Sequence, residues 1–429
     1  MIYVHIPFCR SFCTYCDFYS EVASGCRAEA GYERFADAIV REIEERAGEM
    51  SDDVNTLYIG GGTPSVLPLS VFRRIVSALE TAGHEGPYDE FTVEVNPDDI
   101  VEKGPAYVEG LLELGVNRVS MGVQSFDDEI LRWMNRRHDS AAARKAYSIL
   151  ESAGVRNISI DLIFGLPQLS DRQWRDTLGY ALEISSMGVL PQHISSYQLS
   201  VEPGSALAGM VSRGVWSEAS EDLCARQYDV LCETLASAGY DHYEISNFAR
   251  PGHAAVHNSA YWRHLPYVGL GPGAHSFSAA GQPVGISGRS VGTTGLPVTS
   301  PACHPFGASA PFASTAGQAV RMWNNPDLNA YVNAASFADV RGFEELTPEQ
   351  LVLEHIMLAL RTSEGIDAAF LHAHADREAL SRAISSGDLV SVTGNLVSVT
   401  GDLLIASGDR LRIPESRFFV SDSIISELI

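Results

Sequence analysis

The sequence is poor in basic residues and has no long apolar run. Its 429 residues include 30 lysines and arginines but 54 aspartates and glutamates, which gives a formal net charge of −24. A surface of this sign repels nucleic-acid phosphates and anionic lipid headgroups. No run reaches the roughly 18 apolar residues that a membrane-spanning helix requires. We therefore expect no nucleic-acid partner and no integral membrane segment.

Cysteine is also scarce, and its use is uneven. Only seven cysteines occur, and three of them fall close together near the start of the chain. Three neighbouring cysteines are sensitive to oxidation, and they favour a reducing compartment over a disulfide framework. No basic, apolar and cleavable leader precedes the strand-like run that begins at residue 2, so we expect a cytoplasmic protein. Cys224, Cys232 and Cys303 are expected to be ordinary thiols.

The cysteines near the start have the spacing of an iron–sulfur site. Cys9, Cys13 and Cys16 form a C-x3-C-x2-C run. Three thiolates on one short loop can hold three irons of a [4Fe–4S] cluster and leave the fourth iron open to an exogenous ligand. The alternative is structural zinc, which usually takes four protein ligands, often from two cysteine pairs. No second pair occurs, although Cys26 remains a candidate fourth ligand, and the spacing favours the cluster.

Apolar runs of strand length alternate with amphipathic segments up to residue 250, the pattern typical of repeated β-α units and a parallel sheet. The predicted strands are residues 2–6, 56–59, 91–95, 118–122, 159–163 and 193–198. The predicted helices are residues 30–48, 69–82, 105–114, 140–153, 171–186 and 218–238. Six strands with crossover helices predict an α/β fold that forms an open or partial barrel.

The rest of the chain differs in composition. We expect residues 1–250 to form the barrel and 251–345 to extend it, with a flexible insertion rich in glycine, serine and proline at 281–317. Residues 346–429 contain predicted helices at 348–360 and 377–386 and short strands within 389–413. This order suggests a small α+β domain of winged-helix type. A repeated heptapeptide over 391–404 predicts a hairpin, and the acidic character of this end argues against DNA binding.

A glycine triplet follows the second predicted strand. The run Gly60-Gly61-Gly62-Thr63-Pro64 begins where that strand ends. Residues without side chains at this point let a ligand approach the backbone closely, and barrel active sites form at this face. A plain tight turn is the alternative interpretation of the same residues.

The cysteine motif carries a family resemblance. His5-Ile6-Pro7-Phe8-Cys9 with Tyr15-Cys16-Asp17-Phe18 resembles the radical S-adenosylmethionine (SAM) enzymes of the oxygen-independent coproporphyrinogen III oxidase group. The oxidases proper end this motif C-x2-C-x-C, whereas this chain reads Cys16-Asp17-Phe18. In that departure, and in the HNxxYW match at residues 257–262, the chain resembles the HemW-type haem chaperones. The resemblance implies a six-stranded partial barrel and covers residues 1–280 well and 320–429 loosely.

The resemblance also implies cofactors and the residues that contact them. It implies a [4Fe–4S] cluster on Cys9, Cys13 and Cys16, with SAM bound beside it. The positions that match SAM contacts in the family are Gly61, Gly62, Thr63, Glu94, Gln124, Arg136 and Asp161. Carboxylates suit the ammonium and ribose of SAM, and donors suit its carboxylate. Tyr3 and Tyr15 match further positions that flank the cluster.

For haem, the resemblance points to the second half of the chain. His257 is the expected axial ligand, since a neutral imidazole can bind haem iron, and Tyr261 and Trp262 offer flat surfaces to a porphyrin. An ordinary hydrogen-bonded core histidine is the alternative. His275, at the end of a glycine-rich run that also fits the family, is the fallback ligand, and Asn247 matches the family as well.

Two functions remain open at this point. The first is a haem chaperone that passes haem to recipient proteins, with no residue assigned a catalytic role. The second is an enzyme, an oxygen-independent coproporphyrinogen III oxidase that consumes SAM as it decarboxylates its substrate. The Cys16-Asp17-Phe18 sequence and a first strand that starts at residue 2 favour the chaperone. Homodimer formation and the cleavage of SAM stay undecided.

Overall fold

The computed structural model describes residues 1–23, 26–50, 54–279, 318–393, 397–399, 402–404 and 409–429. These residues form two compact units. The first contains residues 1–227, 266–279 and 318–345, and the second contains 228–265 and the described part of 346–429. The predicted insertion at 281–317, including Cys303, lies outside the described residues.

The first unit is built on seven parallel strands. They are β1 (Ile2–Ile6), β2 (Thr56–Gly61), β3 (Glu90–Val95), β4 (Arg118–Gln124), β5 (Ile158–Phe164), β6 (His193–Gln198) and β7 (Val268–Leu270). Their order is β7-β1-β2-β3-β4-β5-β6, and each neighbouring pair is parallel. All six predicted strands are present, so the predicted α/β fold is confirmed. A seventh strand, β7, was not predicted.

Helices connect these strands, and a small antiparallel sheet completes the unit. The helices that begin before residue 228 are Cys26–Arg46, Leu69–Thr81, Pro97–Lys103, Pro105–Glu113, Asp128–Trp133, Ser140–Ala153, Asp171–Leu182, Ala206–Ser212 and Glu221–Ser237. Helix Leu328–Asn333 follows later, and the small sheet contains His275–Ser278, Ala319–Asn324 and Arg341–Leu346.

Three helix predictions were wrong by three or more residues at an end, including the helix predicted from residue 218, which begins at Glu221, and several short helices were missed. The helix predicted from residue 30 begins at Cys26, so this residue lies in a helix and not in the cysteine loop. The helix predicted to residue 186 ends at Leu182. Helices such as Asp128–Trp133 are too short to show a periodic apolar face; this one starts because the Asp127 carboxylate accepts the N–H groups of Glu129 and Ile130.

Glycines explain why β7 can lie beside β1. A Cβ atom on Gly269 would lie 1.9 Å from the carbonyl oxygen of His275. Gly271 has a φ of +95°, and a Cβ atom there would lie 2.4 Å from the carbonyl oxygen of His5. Only glycine allows such close approach of backbone to backbone. The glycine-rich run that ends at His275 therefore begins within a strand.

A buried carboxylate fixes β7 and the residues after it to the first helix. Glu42 is fully buried. It accepts hydrogen bonds from Gly271 N at 2.8 Å, Asn324 Nδ2 at 2.8 Å, Tyr331 Oη at 2.6 Å and Arg46 Nη1 at 2.9 Å. Arg46 also donates to the carbonyl oxygen of Gly269 at 2.7 Å. Because a buried charge requires such partners, this network determines where residues 266–279 and 318–345 pack.

The second unit combines helices with short antiparallel strands. Its helices include Val256–Trp262, Pro348–Ala359, Ala368–His374, Arg377–Ser386 and Ser421–Leu428. Strands Asp241–Glu244 and Asn247–Ala249 pair antiparallel, and Ile366–Asp367, Arg410–Arg412 and Val390–Ser391 form a small sheet. Strands Val397–Val399 and Asp402–Leu404 also pair antiparallel, as the predicted hairpin requires. Of the helices within the described residues, none has the length and hydropathy to cross a bilayer.

Candidate cofactor site

The three predicted cluster cysteines lie on the chain that follows β1. Cys9 is in the short strand Phe8–Cys9, which pairs with Glu21–Val22. Farther along, Thr14 N donates to the carbonyl oxygen of Met134 at 3.1 Å, and Thr14 Oγ1 donates to that of Trp133 at 2.9 Å. The cysteine loop is thus held against the segment that follows helix Asp128–Trp133. Cys9, Cys13 and Cys16 are free thiols.

The thiols lie close enough to influence one another. Burial raises the pKa of Cys9, and a negative charge on Cys13 would raise it further. Burial likewise raises the pKa of Cys16 to about 12, with Cys13 and Cys9 acting in the same direction. Thiolates in this place therefore need a positive partner, which iron would supply.

Mononuclear zinc and a [4Fe–4S] cluster differ in what they require of the donor set. Among the described side chains, no three from histidine, cysteine, aspartate or glutamate converge on a single ion. A [4Fe–4S] cluster makes a different demand, because each thiolate binds its own iron. Three neighbouring free thiols on one loop are a donor set that fits the cluster.

A chain of hydrogen bonds links two of these cysteines. Cys9 Sγ lies 3.4 Å from Thr63 Oγ1, which accepts a hydrogen bond from Asn96 Nδ2 at 3.2 Å. Asn96 Oδ1 in turn accepts from Arg136 Nη2 at 2.6 Å, and Arg136 Nη1 donates to Cys13 Sγ at 3.4 Å. The residues after β2, β3 and β4 therefore meet the cysteine loop at one edge of the sheet.

The glycine loop after β2 packs tightly within the protein. A Cβ atom on Gly61 would lie 2.6 Å from the His5 ring, and one on Gly62 would lie 2.7 Å from the carbonyl oxygen of Phe8. Three consecutive N–H groups are donated inside the protein: Gly61 N to Glu94 Oε2, Gly62 N to Ile6 O and Thr63 N to Phe8 O. Because these N–H groups are already donated, the loop would bind a ligand through its backbone carbonyl oxygens. Such acceptors suit an ammonium group.

Two half-buried carboxyl groups lie on strands β3 and β5, Glu94 next to the last residue of β3 and Asp161 at the middle of β5. Glu94 accepts hydrogen bonds from Tyr58 Oη at 2.7 Å and Gly61 N at 3.1 Å. Burial raises the pKa of Glu94 to about 7, and the charge of Asp161 adds to the shift. Burial also raises the pKa of Asp161 to about 6, although Ser120 donates to its Oδ1 at 3.1 Å. Both groups would be stabilised as carboxylates by a cation or by further donors.

Gln124, Arg136 and Asn96 converge above Gly122 on β4. A Cβ atom on Gly122 would lie 2.9 Å from Gln124 Nε2, 3.3 Å from Arg136 Nη2 and 3.4 Å from Asn96 Oδ1. Gln124 has a φ of +68°, in the left-handed region that non-glycine residues seldom adopt. Such strain often accompanies a functional constraint. Amide and guanidinium donors are concentrated here, within the same unit as the two carboxyl groups.

The two tyrosines predicted to flank the cluster have different surroundings. Tyr3 on β1 has its hydroxyl 3.0 Å from His5 Nδ1, and its ring centre lies 6.0 Å from that of Tyr58. Tyr15 is half-buried near Cys13, and loss of solvent raises the pKa of the Tyr15 hydroxyl. Both side chains therefore border the cysteine loop and the strand that leads into it.

The first unit thus contains every residue predicted for the cluster and for SAM. Sequence reasoning missed Asn96 and Tyr58 as parts of this site. Asn96 stands two residues after Glu94, at the end of β3, and a polar residue at a strand end is a usable signal. Tyr58 lies within β2, and nothing in its surroundings in the sequence distinguishes it from a core aromatic residue.

The residues predicted for haem divide between the two units. His257 is in helix Val256–Trp262 of the second unit, where it is fully buried with its ring edge-on to Tyr261 at 4.7 Å. Asn247 is also in the second unit and is buried. His275 begins a strand of the first unit, 6.3 Å from the Trp323 ring centre, and burial lowers its pKa.

Comparison with curated proteins places the site in a family context. Residues 3–181 match the family model described as the radical SAM superfamily. The chain is 36% identical over 277 residues to "Heme chaperone HemW" of Synechocystis sp., a match that covers 64% of this chain and 65% of that protein. It is 30% identical over 391 residues to "Heme chaperone HemW" of Mycobacterium tuberculosis, covering 90% of this chain and 87% of that protein.

Solved structures agree on the fold. The coproporphyrinogen III oxidase HemN from Escherichia coli, described as a radical SAM enzyme, has a TM-score of 0.71 and 20% sequence identity, and the match covers 99% of this chain and 88% of that one. At this identity the match shows a shared fold alone. Family membership implies a [4Fe–4S] cluster and SAM as cofactors, as the cysteine motif predicts. The chain belongs to the radical SAM superfamily, in its HemW-type branch.

Proposed function

We propose that this protein is a haem chaperone that binds a [4Fe–4S] cluster, SAM and haem, and passes haem to recipient proteins in the cytoplasm. The observation that carries the proposal is the 30% identity to a protein named as a haem chaperone over 90% of this chain. The sequence Cys16-Asp17-Phe18, in place of a C-x-C ending, points the same way.

Cys9, Cys13 and Cys16 would hold the cluster, because they are three free thiols on one loop. When bound, the cluster and SAM supply one-electron chemistry that no side chain provides. The protein's own contribution is to gather the thiols, to exclude water by burying them partly, and to direct donors at two of the sulfur atoms.

The same edge of the sheet would hold SAM. Carbonyl oxygens of residues 60–62 would accept from its ammonium group. Glu94 and Asp161, both half-buried, would accept from its ammonium or ribose and become fully ionised in doing so. Gln124 and Arg136 would donate to its carboxylate, since an amide and a guanidinium carry the required N–H groups.

For haem, His257 remains the proposed ligand. Its fully buried position means that helix Val256–Trp262 must move before a porphyrin can reach the imidazole. Trp262, which is half-buried, would then present an aromatic face together with Tyr261. His275 in the first unit is the second proposed ligand, and burial keeps it in the neutral form that binds iron.

A haem titration of the cluster-loaded protein tests the proposal. We expect a Soret band that saturates at one haem per chain, is lost in His257→Gln and is retained in the matched control His253→Gln, whose histidine lies in the same unit. Loss of the band in His275→Gln alone would move the ligand to the first unit. A wild-type protein with no saturable band would overturn the proposed function.

A further inference from the structure

The side chain of Asn96 does not form the helix-capping hydrogen bond that its position favours. Asn96 occupies the position before helix Pro97–Lys103, where an asparagine usually caps the helix with its side-chain oxygen. No such cap bond forms here. The backbone N–H of Asn96 instead donates to Ser65 Oγ at 3.0 Å, which fixes the residue in place. Its amide is thereby left for contacts on the other side, toward the cysteine loop.

The orientation of that amide is determined by its neighbours. A guanidinium has no acceptor, so the atom that faces Arg136 Nη2 at 2.6 Å must be the amide oxygen. The amide nitrogen then donates to Thr63 Oγ1 at 3.2 Å. Because Arg136 Nη2 also donates to the carbonyl oxygen of Gly122 at 2.7 Å, the guanidinium is held on two sides.

The hydrogen bonds of Asn96 orient the donors to Cys9 and Cys13. Thr63 Oγ1 accepts from Asn96, so its own hydrogen is the one available to the sulfur of Cys9, 3.4 Å away. Arg136 Nη1 donates to the sulfur of Cys13, also at 3.4 Å. One amide therefore aims two donors, a hydroxyl and a guanidinium, at two of the three predicted cluster ligands.

We infer that Asn96 is a positioning residue that raises the reduction potential of the cluster by aiming Thr63 at Cys9 and Arg136 at Cys13. Hydrogen bonds to ligand sulfur atoms stabilise the more negative, reduced cluster, and such partners of metal ligands tune the metal. This inference rests on the cluster of the proposed function. It assigns to Asn96 a role that neither cysteine spacing nor SAM contact requires.

A redox titration of the reconstituted cluster, followed by electron paramagnetic resonance, tests the inference without any turnover. We expect Asn96→Ala to hold a full cluster at a midpoint potential more negative than that of the wild type. Thr63→Val removes the donor to Cys9 and the acceptor of Asn96 Nδ2 but keeps the bond between Asn96 and Arg136, so its shift should be smaller. Combining the two should give less than the sum, because Asn96 acts partly through Thr63.

Asn117→Ala is the matched control, since Asn117 lies just before β4 at the opposite end of the strands and its Oδ1 accepts from Phe91 N. Its potential should equal that of the wild type. Equal potentials in wild type and Asn96→Ala would overturn the inference and leave the proposed function intact. If Asn96→Ala takes up no cluster, an unchanged potential in Thr63→Val overturns it. A wild-type protein without a cluster overturns both.

Discussion

The two compact units surround their predicted ligand-binding residues with different chemistry. In the first unit, thiols, carboxyl groups, amides and a guanidinium meet at one edge of a parallel sheet and bond to one another. In the second, histidines are enclosed by aromatic rings. His242 stacks on Phe248 at 4.0 Å and meets Phe418 edge-on at 4.9 Å, and burial lowers the pKa of His242 to about 4.

The two units differ in how much conformational change ligand binding would require. The first unit already holds its donors and acceptors in place, as a site for a resident cofactor must. The second unit keeps His257 fully buried, so haem binding there requires a change of conformation. A chaperone that takes up and releases its cargo would need such a reversible opening more than an enzyme with a fixed substrate pocket would.

The largest effect is expected from removing a cluster ligand. Cys13→Ala should abolish the broad visible absorbance of the reconstituted cluster, because the remaining two thiolates cannot hold it. Cys232→Ala, a matched change in the second unit, should leave that absorbance unchanged. An unaltered spectrum in Cys13→Ala would contradict the assignment of the cluster to the first unit.

Removing the carboxylate that anchors β7 should destabilise the fold strongly. Glu42→Ala removes one of the two carboxylate partners of the buried Arg46, the other being Glu49, and also the acceptor of Asn324 and Tyr331, which together costs about 3–5 kcal/mol of unfolding free energy. Urea denaturation of the cluster-free protein measures this loss. Glu44→Ala, two residues away on the exposed side of the same helix, should change stability by less than about 0.5 kcal/mol. Equal midpoints in the two variants would refute the role of Glu42.

The raised pKa of the half-buried Glu94 carboxyl predicts a dependence of stability on pH with a definite sign. Its pKa of about 7 in the folded chain lies above the ordinary value of 4.5, so its contribution to stability is complete below pH 4.5 and is lost as the pH rises through 7. Glu94→Gln, free of cofactors, should therefore gain on the order of 2 kcal/mol over the wild type at pH 8. Near pH 4 the two should be alike. A constant difference across this range would contradict the account.

A smaller effect is expected on SAM affinity. Asp161→Asn keeps the size of the side chain and removes the negative charge, so calorimetry should show binding about tenfold weaker with the cluster intact. Asp241→Asn, at an exposed position in the second unit, should bind SAM as the wild type does. An equal loss of SAM affinity in both variants would contradict the assignment of SAM to the first unit.

Much of the first unit could be predicted from the sequence. Its six long strands are apolar runs flanked by amphipathic helices, and in a parallel sheet the ends of such strands meet at one edge. That rule alone brings Thr63, Glu94 and Gln124 into one place, whereas Asp161 lies at the middle of β5, paired with Gly122 of β4. The strand β7 could not be predicted in this way, because a three-residue strand with glycine at its centre has no apolar run to mark it.

The directions of the Asn96 and His257 side chains could not be predicted from the sequence. Asn96 before Pro97 has the pattern of a helix cap, and only the fold shows that its amide turns to Thr63 and Arg136. His257 in an HNxxYW motif has the pattern of an accessible ligand, and only the fold shows that it is enclosed. Both depend on contacts between residues far apart in the chain, which local patterns do not record.

The most direct test of the central claim is a mass spectrum of coproporphyrinogen III after anaerobic incubation with the cluster-loaded protein, SAM and a reductant. We expect an unchanged tetrapyrrole while the cluster is verified in the same sample. Stepwise loss of carboxyl groups would make this protein an oxidase and contradict the proposed role as a haem chaperone.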